Sequence, residues 1–216
     1  SLTVNFWAFR CGGTIATATA QGRLVHVAVL THADATLDRY AEEPPDPVVR
    51  RREETGRAMG VLGVPPDAVY FGPFYELMLT VDQKSLTWLG SILRHVRPAE
   101  VLIPHWADLH QDHRVAAELS IIATRPHTVP SVRRVRAYPV DVAWPAGVGT
   151  RFTSFTVLSE SALRMKEEAL RAYASEIRPH PHPRSWEAWA AFAMAQGARI
   201  GVAAAEPFEV VWEIDG

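Results

Sequence analysis

Three histidines and two aspartates fall within nine positions, His105-Trp106-Ala107-Asp108-Leu109-His110-Gln111-Asp112-His113. Imidazole and carboxylate together suit zinc or a similar divalent ion, and the same groups serve as general acids and bases. A lone histidine is ordinarily a solvated or helix-capping residue; five such groups this close, at the end of an apolar run, point to a site. His32 also ends an apolar run and, taken alone, reads as structural or supporting. Cys11-Gly12-Gly13-Thr14 opens an alanine-rich stretch and could bring backbone N–H groups to an anion at a helix N-terminus. Neither GxGxxG nor the P-loop pattern occurs, so a nucleotide or nicotinamide cofactor has no support. Cys11, with no base assignable to it, reads as a buried small hydrophobe. The runs Arg50–Glu54 and Arg133–Arg136 read as solvated faces, and His180-Pro181-His182-Pro183 as a connection. Trp7, Trp106 and Trp144 fall near strand ends or loops, where an aromatic face could stack on a sugar.

The elements that must hold these groups alternate. Leu2 to Ala8 is a short strand, followed by the glycine turn and a helix ending at Gly22. Leu24 to Thr31 is nearly continuous in apolar residues, as a parallel strand covered on both faces should be. Residues 32 to 47 form a loop long enough to suspect of function. Helices are expected at Val48–Leu62, Val81–Val96 and His113–Thr124, with strands at Ala68–Phe71 and Glu100–Pro104. Later come strands at Val132–Val140, Arg151–Leu158 and Glu209–Ile214, a Trp144-Pro145 turn, and helices at Ser159–Tyr173 and Ser185–Gly197. This order predicts an α/β, Rossmann-like, mostly parallel sheet with helices on both faces. Residues 1–216 read as a single domain, in which 1–125 form the βαβ core and 126–216 complete it. In such sheets ligands bind at the carboxyl ends of the strands, where the histidine cluster falls.

Composition excludes several function classes. With 48% hydrophobic and 21% charged residues the chain is ordinarily globular. Its size implies burial of roughly 70% of the unfolded surface, so no covalent staples are needed. Cys11 is the only cysteine, which rules out an internal disulfide and any multi-cysteine zinc site and makes a reducing, cytoplasmic setting the expectation. A net charge of -2 offers no field to attract nucleic acid. No apolar run reaches the ~20 residues of a membrane span. Oligomeric state is not readable from the sequence.

Further motifs stand in a fixed order: Cys11-Gly12-Gly13-Thr14-Ile15-Ala16, Arg51 with Glu54, Leu62-Gly63-Val64, His110-Gln111-Asp112-His113, Leu170-Arg171-Ala172-Tyr173, His182-Pro183-Arg184-Ser185 and Ala205-Glu206-Pro207-Phe208-Glu209. In this order the chain resembles the PIG-L/LmbE-like family of zinc-dependent N-acetylglucosaminyl deacetylases, over nearly its whole length. The resemblance implies that His113 is a ligand of zinc or another divalent ion. It implies that His110 stabilises the oxyanion or protonates the leaving amine, that Asp112 orients His110, and that Arg51 lines the substrate side. The implied reaction removes an acyl group, chiefly acetyl, from a small-molecule N-acylated amino sugar or glycoconjugate.

One departure stands against it. The family carries a HPDD-type motif after its first strand, which supplies the other ligands and the general base; here Trp7-Ala8 runs directly into Phe9-Arg10-Cys11. Catalytic zinc takes three protein ligands, so His113 alone would not hold it. Three readings stay open: a longer polypeptide carrying the motif between Ala8 and Cys11, a non-hydrolytic sugar-binding or scaffolding relative, or a displaced metal site completed by His32, Asp34, His105 or Asp108. A milder departure is Phe74-Tyr75-Glu76-Leu77 after the third strand, where relatives often place Asp-Gly.

Overall fold

A computed structural model describes residues 2–5, 8–32, 47–140 and 151–215. The strands are β1 (Leu2–Asn5), β2 (His26–His32), β3 (Val69–Tyr75), β4 (Glu100–Pro104), β5 (Arg134–Tyr138), β6 (Ser154–Val157) and β7 (Ala205–Glu213). The helices are α1 (Gly12–Ala20), α2 (Pro47–Val61), α3 (Gln83–Val96), α4 (Gln111–Ala123), α5 (Glu160–Arg171) and α6 (Trp186–Arg199). The strands form one sheet in the order β3-β2-β1-β4-β5-β7-β6. The pairs from β3 to β5 are parallel; β7 runs antiparallel to both β5 and β6. The chain therefore builds outward from β1 to β3, then returns to the other side of β1 for β4. The crevice between the carboxyl ends of β1 and β4 is the topological switch point at which open α/β sheets bind ligands.

Burial follows the pleat. In β4 every residue is buried, with Leu102 facing one core and Val101 and Ile103 the other. The first core joins Ile15 and Ala16 of α1, Met59 of α2, Leu170 of α5 and Trp189 of α6. The second joins Leu89 and Leu93 of α3 to Ala116 and Leu119 of α4. Helices thus cover both faces, and the fold class read from the sequence holds. The apolar stripe expected on α3 supplies its buried face, and an Asp82/Ser85 capping box starts it.

Several boundaries moved for identifiable reasons. Helix α4 starts at Gln111 rather than His113, because His110 serves as its N-cap. The last strand begins at Ala205, not Glu209. Pro207 sits where β7 has β6 as its antiparallel partner, before the pairing with β5 begins at Glu209. The Trp144-Pro145 turn, Asp34 and the rest of the loop after β2 lie outside the described residues.

The start of α1 is closed by a residue far along the chain. The Gly13 N–H donates to Glu206 Oε1 at 2.9 Å, and the Thr14 N–H and hydroxyl donate to Oε2 at 2.7 and 2.6 Å. Lys166 Nζ of α5 donates to the same carboxylate at 2.7 Å. A Cβ on residue 13 would stand 3.0 Å from Glu206 Oε1 and 2.8 Å from both Leu158 methyls, so the close approach requires glycine. Removing the carboxylate strands a buried ammonium and three helix-start donors. Glu206→Ala is expected to lower the unfolding free energy by about 3–5 kcal/mol, measured by urea denaturation; a loss below about 1 kcal/mol would show the contact to be incidental.

Candidate active site

Strand β4 ends at Pro104, and the six residues after it carry the chain across the switch point to α4. The loop is pinned at both ends. The His105 Nε2–H donates to Glu209 Oε2 of β7 at 2.9 Å while its Nδ1 accepts from the Ala107 N–H at 3.0 Å, so both ring nitrogens are committed to structure. Asp108 then organises the rest. Its Oδ1 accepts from the His110 backbone N–H at 2.8 Å and from the His113 Nδ1–H at 2.9 Å. Burial pushes the Asp108 carboxyl up, but these hydrogen bonds, the charge of His113 and that of Arg10 outweigh it and hold the group below the usual carboxylate value. The clamp thus fixes the His113 ring through its Nδ1.

The imidazoles of His110 and His113 stack with centroids 4.6 Å apart. Burial and the neighbouring His113 charge lower the pKa of His110, against smaller opposing effects of Asp112, Glu76 and Asp108. Its Nδ1 accepts from the Asp112 N–H at 3.3 Å, which leaves Nε2 as the protonated nitrogen of the neutral ring. Glu76 Oε1, just past the end of β3, is 3.8 Å from that Nε2. The Asp112 carboxylate turns the other way: Oδ2 accepts from the Leu77 N–H at 2.7 Å. Its Oδ1 is buried with no hydrogen-bond partner among the described residues. Gln111 Nε2 donates to Leu77 O, and Leu77 has φ +64°. The turn after β3 is thus held in a conformation that a leucine seldom adopts, by two side chains of the first turn of α4. The polar contact between Asp112 and His110 runs through the Asp112 backbone.

Of the residues singled out in the sequence, His110, Asp112 and His113 come together in one turn. Arg51 does not touch them; it pairs with Glu176, which also accepts from Arg184 Nη1 at 2.7 Å. Burial raises the pKa of Glu176 despite the guanidinium groups of Arg51, Arg184 and Arg178, and the charge of Glu76 adds to that effect. The displaced metal site is not assembled among the described residues. His105 and Asp108 are engaged as above, and His32 directs Nδ1 to Gly72 O at 3.3 Å. Glu76 belongs to the segment after the third strand that the sequence marks as a departure, though no role was read for it, and Glu176 was not recognised in the sequence.

The match to known families follows this geometry. The family model described as "PIG-L: GlcNAc-PI de-N-acetylase" matches residues 7–124, more than half the chain and the whole stretch from the glycine turn through α4. The chain belongs to the PIG-L family. Its fold is similar to that of the conserved protein TT1542 of Thermus thermophilus, with 25% identity and TM-score 0.80 over 100% of this chain and 96% of that one. The 4-carboxy-2-hydroxymuconate hydratase GalB of Pseudomonas putida matches at 24% identity and TM-score 0.80, covering 100% of this chain and 97% of that chain. An N,N'-diacetylchitobiose deacetylase of Pyrococcus horikoshii matches at 20% identity and TM-score 0.77, covering 97% and 82%. A hydratase and a deacetylase share this fold, so the reaction has to be argued from the site.

PIG-L deacetylases generally depend on a metal. The Asp108–His113 pair is the arrangement in which an outer carboxylate orients a metal-binding imidazole. Yet among the described residues no three His, Cys, Asp or Glu side chains converge on a point. The described residues fit one ligand position and do not make a complete zinc centre. Asp108 is the residue on which the loop depends. Asp108→Ala is expected to cost about 3 kcal/mol of stability, from two charge-assisted hydrogen bonds at about 1.5 kcal/mol each. Urea denaturation reads this directly, and an unchanged midpoint would show that the loop is held by other contacts.

Proposed function

We propose that the protein is an N-deacylase that removes an acyl group, acetyl in the first instance, from the amino group of an amino sugar or glycoconjugate. The metal dependence general among PIG-L deacetylases supports zinc or another divalent ion as its cofactor, for which His113 would supply one ligand. The observation that carries the proposal is the Asp108 clamp, which fixes His110 and His113 side by side at the switch point of a PIG-L fold.

The roles follow from the geometry. His110 is held as a neutral imidazole whose Nε2–H can donate to the amide oxygen as negative charge develops there, and a donor fixed in a partly buried site is worth more than one in water. Glu76 Oε1 stands 3.8 Å from that nitrogen, beyond direct hydrogen-bond reach, and its charge favours a proton on the ring. Asp112 acts at one remove, by tying the turn after β3 to the first turn of α4. The family resemblance supports a role for Arg51, paired with Glu176, on the substrate side.

A second reading is favoured by one specific observation, the absence of the HPDD-type motif from the sequence: a relative that binds the amino sugar without hydrolysing it. The two separate in one experiment, in which the purified protein is supplied with zinc and a panel of N-acetylglucosaminides while released acetate and bound ligand are both measured. The deacylase reading expects acetate release that His110→Ala lowers by about a hundredfold or more, the scale of one lost oxyanion donor. Ligand binding with no acetate released would establish the second reading, and neither binding nor release would exclude both.

A further inference from the structure

The turn after β3 and the loop after β4 meet at His110. Of the eleven large apolar side chains exposed among the described residues, five stand in these two short stretches: Tyr75, Leu77 and Met78 in the first, Trp106 and Leu109 in the second. Met78 at 69% and Leu109 at 61% are the most open of the five. The stretches are fastened together. The Leu77 N–H donates to Asp112 Oδ2 at 2.7 Å, Leu77 O accepts from Gln111 Nε2, and Glu76 Oε1 stands 3.8 Å from His110 Nε2. Holding this apolar surface open has a cost. Leu77 sits at φ +64°, and the carboxylate that fixes it is fully buried, with Oδ1 lacking a hydrogen-bond partner among the described residues. Backbone strain and a buried carboxylate committed to an exposed turn beside His110 mark that turn as functional. It is also where this sequence departs from its relatives, with Phe74-Tyr75-Glu76-Leu77 where they often place Asp-Gly.

We infer that the substrate of this site carries an alkyl chain, and that Leu77, Met78 and Leu109 receive it. The inference rests on the reading of the site as one for an N-acylated amino sugar, and it names what else that molecule bears. Aliphatic side chains with a flexible methionine among them suit a chain that offers no hydrogen bonds, and an exposed apolar patch of this kind marks a contact surface. Two other occupants fit less well. A second copy of the chain, or any protein seated there permanently, would close over His110 and keep substrate out. A bilayer surface is met by clustered cations, whereas residues 75–78 and 106–109 hold Glu76 and Asp108 and neither lysine nor arginine. Arg114, next along the chain, is turned onto the carbonyl oxygens of Asp108 and Leu109. The alkyl chain has two chemical sources, the acyl group on the sugar nitrogen and the aglycone on the anomeric oxygen.

The test is calorimetric titration of the protein with N-acetylglucosamine, N-octanoylglucosamine and the octyl glycoside of N-acetylglucosamine, with released acid followed in the same samples. Each methylene withdrawn from water tightens binding roughly fourfold, and a surface open on one side withdraws only part of the chain. At least one octyl compound is therefore expected to bind tenfold or more tightly than N-acetylglucosamine. The Met78→Ser/Leu109→Ser double variant is expected to lose that gain, and Leu24→Ser, equally exposed but before β2, to keep it. The larger gain identifies the source: N-octanoylglucosamine the acyl group, the octyl glycoside the aglycone. A gain lost in the double variant with no acid released would uphold the inference while the deacylase reading fails. Acid released from N-acetylglucosamine with no gain for either octyl compound would overturn the inference and leave that reading standing. A gain that survives in the double variant, a gain that Leu24→Ser also removes, or no binding of any of the three would likewise overturn it.

Discussion

The carboxylate of Glu206 holds together parts of the chain that are remote in sequence. It is buried at 2% exposure and collects donors from the start of α1 and from Lys166 of α5, while its own backbone belongs to β7. The positive end of the α1 dipole and the lysine ammonium are neutralised by one group, which is how a charge of each sign can lie this deep. This contact locks the antiparallel addition, β6 and β7, onto the parallel core. It also determines what the glycine turn is for. The N-terminus of α1 is already occupied by an internal anion, so Gly12 and Gly13 serve packing and not the capture of a ligand.

From that anchor the site can be followed outward. Strand β7 continues from Glu206 to Glu209, and Glu209 holds His105 at the start of the histidine loop. Asp108 then folds the loop back on itself, and Asp112 and Gln111 fasten the first turn of α4 to the turn after β3. Each of these strand ends is thereby tied to a neighbour, which is the rigidity that a preorganised hydrogen-bond donor requires. On the far wall, Glu54 accepts from the Ser175 N–H at 3.0 Å and Tyr173 donates to Thr55 Oγ1 at 2.7 Å, clasping α2 to the segment that carries Glu176.

What could be read from the sequence was what depends on neighbours along the chain. The run Glu100–Pro104 is the strand expected because it is short and mostly apolar, and the loop after it is the candidate site because parallel strands present their carboxyl ends to ligands. What could not be read depends on partners far away. Glu206 lies 192 residues from Thr14, Glu176 lies 125 from Arg51, and Asp112 lies 35 from Leu77. No local pattern announces such pairs. Asp108 was visible as one of the cluster, but its role as the clamp between His110 and His113 emerges only once the loop has turned.

The central claim is that His113, oriented by Asp108, is a metal-binding residue in a deacylase and not merely a buried polar side chain. The most direct measurement is the zinc content of the purified protein after equilibrium dialysis against dilute zinc, taken beside the His113→Ala variant. The expected result is one zinc per chain in the parent and none in the variant. No bound zinc in the parent, or equal zinc in both, would contradict the claim.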